Sequence, residues 1–236
     1  MIELKFNNKW SYGDFGLLIE SYRIATPEKK KVLVEVPFSN GVIDVSGKLG
    51  KVNYTEREIT VDFALVANSK ADLKAKMTLI NHWLLGEVSS SQLYLDDPAM
   101  YYIAEVRSKF EYDVFDRACR FTVVFIAQPY KVGHCYEGSK KEWDCFNFYE
   151  DVLQESIFKI NNTTVSVKLN NVGVDVVPSV VVSGASVVLV INSKSYNFNV
   201  GTNKDFNLVL KKGINNITIK STGNATVDIR WRKEQL

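Results

Sequence analysis

Few residues in the sequence could carry covalent chemistry. There are two histidines and three cysteines in 236 residues. A general base working on a nucleophile would have to be His82 or His134, and neither belongs to an HExxH or GxSxG pattern. His82 sits beside Trp83 in a helical stretch, and His134 adjoins Cys135; packing or surface roles are expected for both. Cys135 and Cys145 lie ten residues apart. Zinc sites favour closely spaced pairs supplying four ligands, so no metal is expected here. A disulfide between them is geometrically allowed but disfavoured in a reducing compartment, so three free, structural cysteines are expected, with Cys119 a small buried hydrophobe. Asp96-Asp97 and Asp113/Asp116 are paired carboxylates of the kind glycosidases hold across a cleft, but Asp96-Asp97-Pro98 reads first as a turn. No glycine-rich phosphate loop occurs, and no cofactor is expected. Trp231 and Tyr196 are the aromatic residues that could stack on a sugar ring. Trp231 alternates with Ile229 and Val227, which points instead to the core. Four Asn-x-Ser/Thr sequons, at Asn161, Asn162, Asn216 and Asn224, carry little meaning without a signal peptide.

Composition narrows the function further. Lys+Arg number 29 and Asp+Glu 27, for a net charge of +2. This near-balance lacks the basic field of a nucleic-acid-binding module. The longest aliphatic run, Val187–Ile191, is far short of the ~20 residues a spanning helix needs. The start, Met1-Ile-Glu-Leu-Lys-Phe, has no apolar secretion block, and folding in a cytoplasm is expected. No nucleic-acid or membrane partner is predicted.

The elements that must position these residues are mostly strands. Aromatic residues make up 12% of the chain, and β-branched residues are frequent, which suits a pleated, half-buried surface. Ile59, Val61, Phe63 and Leu65 alternate onto one face, as do Cys119, Phe121, Val123 and Phe125, and Ile2, Leu4 and Phe6. Further strands are predicted over Leu17–Ile24, Lys31–Val36, Gln92–Leu95 and Tyr101–Phe110, with Asp113–Asp116 as a hairpin turn. One helix is predicted: Ser69 caps it, Asp72 makes a capping-box-like start, and Leu73, Met77, Ile80 and Leu84 follow at helical spacing. Gly86 is placed to end it in a left-handed conformation. Residues 37–51 carry Asn40-Gly41, a tight-turn signal, and three glycines. A projecting hairpin is expected there, and an exposed hairpin edge invites pairing with another chain.

Character changes near residue 133. Residues 1–133 hold 17 basic and 17 acidic side chains, and the remainder 12 and 10. The second part is rich in Asn, Val, Ser and Thr. It divides into about eight short strands: Ser156–Ile160, Thr164–Leu169, Ser179–Val182, Ser186–Ile191, Tyr196–Val200, Phe206–Leu210, Ile214–Lys220 and Ala225–Arg232. Turn residues between them suggest a sandwich or jelly roll. Residues 134–155 mix aromatics with charge, and Glu142–Leu153 reads as either a short helix or a packed loop. Two domains are expected, 1–133 and 134–236, in a mainly β protein. The first is a β-sandwich with one helix and a projecting β-hairpin, and the second is a galectin-like or jelly-roll β-sandwich.

Four stretches together resemble the N-terminal domain of siphophage distal tail proteins (Dit). They are Asp14-Phe15-Gly16-Leu17; Val36-Pro37 through Asn40-Gly41-Val42-Ile43-Asp44-Val45-Ser46 and Gly50 to Arg57 and Ile59; Asn81-His82-Trp83-Leu84-Leu85-Gly86; and Leu95-Asp96-Asp97-Pro98 with Tyr101-Tyr102 to Val106. Asn171-Val172-Gly173, Pro178, Gly184, Gly213-Ile214-Asn215-Asn216-Ile217 and Arg230-Trp231 resemble the family's galectin-like domain more loosely. The His-x-Asn-x-Arg grouping of true galectins is not found, so lectin activity is not carried over. The resemblance implies a structural, non-enzymatic hub at the distal end of the virion tail, assembled in the host cytoplasm. As a baseplate or tail-tip component, it would form a homohexameric ring. That ring would join the tail tube protein to the tail-associated tip protein, near the tape-measure protein, and carry receptor-binding proteins. It implies a subunit interface at Phe38, Asn40, Gly41, Val42, Ile43, Asp44, Val45, Gly47 and Leu49. Other readings are a carbohydrate-binding module for host cell-wall glycan and a wall hydrolase using Asp96 or Asp97.

Overall fold

The structure is a computed structural model that describes residues 2–35, 40–46, 53–86, 89–95, 97–107, 109–139 and 141–236. The chain is mainly β and divides into two compact units. The first holds Met1–Asp97 with Tyr101–Lys131, and the second Pro98–Met100 with Val132–Gln235.

In the first unit, strands run in the order Lys9–Trp10, Leu4–Phe6, Ser91–Leu95, Met100–Val106, Ala118–Ala127, Arg57–Val66 and Leu18–Ile24. Arg57–Val66 and Ala118–Ala127 pair antiparallel over ten residues, with Phe63 opposite Phe121. Ile59, Val61, Phe63 and Leu65 are buried, as are Cys119, Phe121, Val123 and Phe125. The period-2 alternation therefore marks the core face, because successive side chains on a strand point to opposite sides. Burial also pushes the Cys119 thiol pKa up. Ile2 falls outside this pattern and is exposed.

The predicted helix is Lys70–Leu85. The Asp72 N–H donates to Ser69 Oγ at 3.1 Å, and the Asp72 carboxylate accepts from the Asn68 N–H at 3.0 Å. The return bond thus lands one residue before the cap, where a capping-box Glu would meet the cap's own N–H. Leu73, Ile80, Trp83 and Leu84 are buried, and Met77 packs against the same core. Gly86 does not take the left-handed conformation expected of it: its backbone is extended (φ −67°, ψ −157°). A second, five-residue helix, Ser11–Phe15, ends on Gly16 at φ 69°. Asp14 starts it by accepting the Trp10 N–H at 2.7 Å. Phe15 stacks on Trp83 with centroids 4.5 Å apart, and Trp83 Nε1–H donates to the Phe6 carbonyl at 2.9 Å. Two stretches that carried the resemblance, residues 14–17 and 81–86, thereby meet in one core.

Two strand expectations shift here. Tyr101–Phe110 is strand only over Met100–Val106. The hairpin turn expected at Asp113–Asp116 lies at Asp116-Arg117, because Tyr112–Phe115 is itself a strand paired with Ala118–Ala127. Asp116 accepts the left-handed backbone (φ 52°) that Asp tolerates better than most residues.

The second unit is a sandwich of two four-stranded antiparallel sheets. One runs Ile157–Asn161, Asn224–Arg230, Ser179–Gly184, Gly201–Lys204; the other runs Thr164–Asn171, Gly213–Ser221, Val187–Ile191, Lys194–Phe198. Their inward residues form one core that includes Leu169, Val180, Leu189, Ile219, Ile229 and Trp231. The strand expected at Phe206–Leu210 lies earlier, at Gly201–Lys204. Asp205 instead opens a turn, its carboxylate accepting from the Asn207 N–H at 2.8 Å. Two buried asparagines shape the loops. Asn171 donates to the Val174 and Leu210 carbonyls and accepts from the Gly173 N–H. Asn215 accepts from the Lys211 N–H and donates to the Lys211 and Gly213 carbonyls. At Gly173 a Cβ would lie 2.5 Å from the Glu234 carbonyl oxygen, so only glycine fits.

Candidate subunit interface

The hairpin lies in the first unit. Its base is a short ladder: Lys30 N–H donates to the Asn53 carbonyl at 2.8 Å, and Thr55 N–H to the Glu28 carbonyl at 2.8 Å. Further out, Leu33–Glu35 pairs antiparallel with Val42–Asp44, Leu33 opposite Asp44 and Glu35 opposite Val42. The connection is therefore longer than the two-residue turn that Asn40-Gly41 suggested, although Gly41 has the positive φ (104°) of a turn glycine. Ser46 locks the return strand. Its hydroxyl accepts the Val32 N–H at 2.7 Å, and its own N–H donates to Asp44 Oδ1 at 2.9 Å. Hydrogen bonds from Ser46 hold the Asp44 pKa below the ordinary carboxylate value.

Both faces of this ribbon are open. Leu33 is 53% exposed, and Val34, on the opposite face, is 45% exposed; Ile43 across from Val34 is 49% exposed. Consecutive strand residues point to opposite sides, so neither side is covered. A two-stranded ribbon is marginal by itself in water. Of the residues predicted for the interface, Asn40, Gly41, Val42, Ile43, Asp44 and Val45 are brought together here. Phe38, Gly47 and Leu49 lie outside the described residues. Val32, Leu33 and Val34 add apolar surface that the strand reading of Lys31–Val36 did not single out. The signal was the apolar run directly after Lys29-Lys30-Lys31.

Arg57, from the same resemblance stretch, is buried. Its guanidinium donates to the Pro129 carbonyl and lies over the Tyr102 ring, 5.3 Å from the centroid. It ties its strand to the end of its neighbour and is not available to a partner.

The other candidates for chemistry disperse. His82 and His134 are exposed. Asp96 lies outside the described residues, and the Asp97 N–H turns back to the Leu95 carbonyl at 2.7 Å. Asp113 and Asp116 flank a hairpin end. Among the described residues, no group of three or more His, Cys, Asp or Glu is arranged to hold a metal, and no helix is long and apolar enough to cross a membrane. Trp231 and Tyr196 are both buried, and Tyr196 donates its hydroxyl to the Asn207 carbonyl at 2.8 Å. Neither can form a sugar platform.

The cysteines correct an expectation. Cys135 and Cys145 form a disulfide, with Cα atoms 6.2 Å apart, and Cys119 alone is free and buried. The 3₁₀ turn Trp143–Cys145 brings Cys145 back within reach. Of the two readings of residues 142–153, the packed loop fits: its one regular element is the 3₁₀ turn Trp143–Cys145.

The same segment is held by a buried ion network. Lys141 Nζ lies 2.7 Å from Glu137 and 2.5 Å from Asp151, and Lys233 Nζ lies 2.9 Å from Asp151. All four side chains are almost fully enclosed. Burial alone would raise the Asp151 pKa, but hydrogen bonds from Lys141, the Asn147 N–H and Lys233 outweigh it and leave the pKa lowered. At Glu137 burial dominates, and its pKa is raised despite Lys141. Charges buried this deeply persist only when paired. Ser139 and Ser156 add reciprocal bonds, with Ser156 N–H to Ser139 Oγ at 2.7 Å and Ser139 N–H to Ser156 Oγ at 3.2 Å. Just before Ser139, Gly138 holds φ 86° where a Cβ would strike Ser156.

The first unit thus joins a β-sheet, a covering helix and a ribbon whose described residues are apolar and open on both faces. Residues 17–127 match the family model described as the phage tail protein RIFT-related domain, which bears out the resemblance to siphophage distal tail proteins. Over 100% of both chains, the fold is similar to SPP1 Dit (gp 19.1), described as a paradigm of hub adsorption apparatus in Gram-positive infecting phages, with TM-score 0.64 and 14% identity. A chain from the phage p2 baseplate in its activated conformation with Sr aligns over 100% of both chains with TM-score 0.46 and 6% identity. No curated protein sequence matches.

Proposed function

We propose that the chain is a non-enzymatic hub at the distal end of a siphophage tail. In this reading it forms a hexameric ring joining the tail tube to the tail-associated tip protein and the receptor-binding apparatus. Residues 1–133 form the ring, and residues 134–236 are its peripheral sandwich. The observation that carries this reading is the hairpin. In a phage tail domain, an apolar ribbon open on both faces is surface that water disfavours and a neighbour would cover. A ring requires contacts between two different surfaces of successive copies, closing after a full turn. Phe38 through Leu49 is the first of those surfaces. The domain match and the SPP1 hub's fold support the assignment.

Native mass spectrometry and negative-stain imaging of the purified chain test it. Hexamers, or pairs of hexamers, are expected. A chain that stays monomeric at high concentration in both measurements overturns the proposal.

A further inference from the structure

The Cys135–Cys145 bond sits where small molecules can reach it. Both cysteines are only half-buried, and His134, Tyr136, Trp143 and Asp144 beside them are exposed. Among the described residues, none between 134 and 155 belongs to the buried core of the sandwich, which is drawn from Ile160 to Trp231. The segment also has a second fastening, the Glu137–Lys141–Asp151–Lys233 network with the Ser139–Ser156 pair. Breaking the bond therefore leaves the sandwich folded and the two sulfurs near each other. Such a bond can open and re-form by local motion, without global unfolding.

What the bond holds is an aromatic surface. Trp143 is 67% exposed and Phe148 78%. Their rings lie nearly parallel (19°), and Phe146 packs on both. In the turn beneath, the Cys145 N–H donates to the Glu142 carbonyl and the Phe146 N–H to the Trp143 carbonyl, each at 3.1 Å. A single 3₁₀ turn has too few bonds to persist by itself. The cross-link fixes this turn to Cys135, while the ion network anchors Lys141 and Asp151 on either side of it. Opening the bond thus frees the stretch between those anchors.

Charge decides which thiols react. Glu142, Asp144 and Glu150 flank Cys145 in the chain and are exposed, whereas Glu137, Lys141, Asp151 and Lys233 balance one another in the buried network. On the Cys135 side the Arg232 guanidinium lies over the Tyr136 ring, 4.6 Å from its centroid. Three exposed carboxylates against one guanidinium leave the surroundings net negative. The attacking species is a thiolate, so it is repelled unless it carries a positive group.

We propose that Cys135–Cys145 is a thiol–disulfide exchange site of the folded chain, opened by low-molecular-weight thiols with preference for cationic over anionic ones, and that its state sets the order of the Trp143–Phe148 surface. The thiolate attacks one sulfur, the bond to the other sulfur breaks, and that second cysteine leaves as a thiolate and takes a proton. A second small thiol resolves the mixed disulfide. The protein disulfide is reduced to two thiols as two small thiols are oxidised to one small disulfide, and a small disulfide drives the sequence in reverse. This proposal is independent of the hub reading.

The full-length chain, without denaturant, is treated with cysteamine, 2-mercaptoethanol or mercaptoacetate, and freed thiols are trapped with iodoacetamide and located by peptide mapping. Cys135 and Cys145 are expected to be alkylated together. Rates per thiolate should fall in the order cysteamine, 2-mercaptoethanol, mercaptoacetate, the first at least about threefold faster than the last at low salt, with the gap closing at about 1 M salt. Glu142→Lys with Asp144→Lys should reverse the order. In the reduced chain, amides of residues 142–150 should exchange at least about tenfold faster while the strands of the sandwich exchange as before, and oxidised glutathione should restore the slow exchange. A bond that opens only in denaturant overturns the proposal, as do equal rates for cysteamine and mercaptoacetate at low salt or a charge variant that keeps the parent's order. Unchanged exchange at 142–150, or faster exchange throughout the sandwich, overturns it as well. Each of these results leaves the hub reading where it stands.

Discussion

At the scale of single residues, the structure explains why several positions tolerate little change. Trp83 fills the core against Phe6 and Phe15 and satisfies its indole N–H on the Phe6 carbonyl. Trp83→Ala should cost about 3–5 kcal/mol, read by urea unfolding of the first unit. Asp151 shows the pH logic of the buried network. Its pKa is lowered in the folded chain, so its contribution is complete above the unfolded value of about 3.9 and is lost as pH falls through the lower folded value. Glu137 works in the opposite direction: its raised pKa means that the folded chain binds its proton more readily. Stability from this group therefore rises as pH drops toward the Glu range. Unfolding of the second unit should accordingly hold or improve on mild acidification and collapse only below about pH 4. Asp151→Asn should destabilise at neutral pH, because Lys141 and Lys233 lose their shared anion, and should flatten the acid limb. An unchanged acid limb in the variant would show that Asp151 does not set it.

At the scale of elements, the disulfide and the hairpin make separate predictions. A cross-link closing about ten residues stabilises by roughly 2–3 kcal/mol in the chain-entropy account. Cys135→Ser with Cys145→Ser should lower the stability of the second unit by about that much, measured by thermal unfolding, and should loosen residues 142–153 in hydrogen exchange. The first unit should melt as before. The hairpin should behave oppositely. Its strands contribute no buried core residue, so deleting Ser39–Lys48 should leave the unfolding free energy within about 0.5 kcal/mol of the parent while abolishing assembly in size-exclusion light scattering. A deletion that still assembles like the parent would remove the hairpin from the interface.

At the scale of the whole molecule, the small net charge of +2 conceals an uneven distribution. Residues 135–155 alone carry six acidic and two basic side chains, so the average excluded a nucleic-acid field without describing any one surface. Self-association that draws on such charges should weaken as ionic strength rises and the Debye length shrinks from about 10 Å at 0.1 M to about 3 Å at 1 M. Association of the purified chain, followed by sedimentation against salt, should fall in rate more than in final extent, because screening acts chiefly on encounter. An association rate independent of salt would argue for a purely apolar contact.

The sequence by itself determined the parts that depend on local periodicity and local capping. The alternation in Arg57–Val66 and Ala118–Ala127, the Ser69 cap with its Leu73–Leu84 stripe, and the burial of Trp231 are all short-range patterns, in which neighbours along the chain dictate which side faces the core. Four scattered stretches were enough to point to a tail protein, and two of them prove to be one packed cluster around Trp83. Only the tertiary structure decided features that rest on distant partners. Cys135 and Cys145 are expected as free thiols only on the ground of a reducing compartment, and the folded segment instead sets their Cα atoms 6.2 Å apart in a disulfide. The Asp151 network draws Lys233 from 82 residues away, and no spacing rule reaches that far. The openness of both hairpin faces also came from the structure, since alternation marks a strand's sides but not what stands against them.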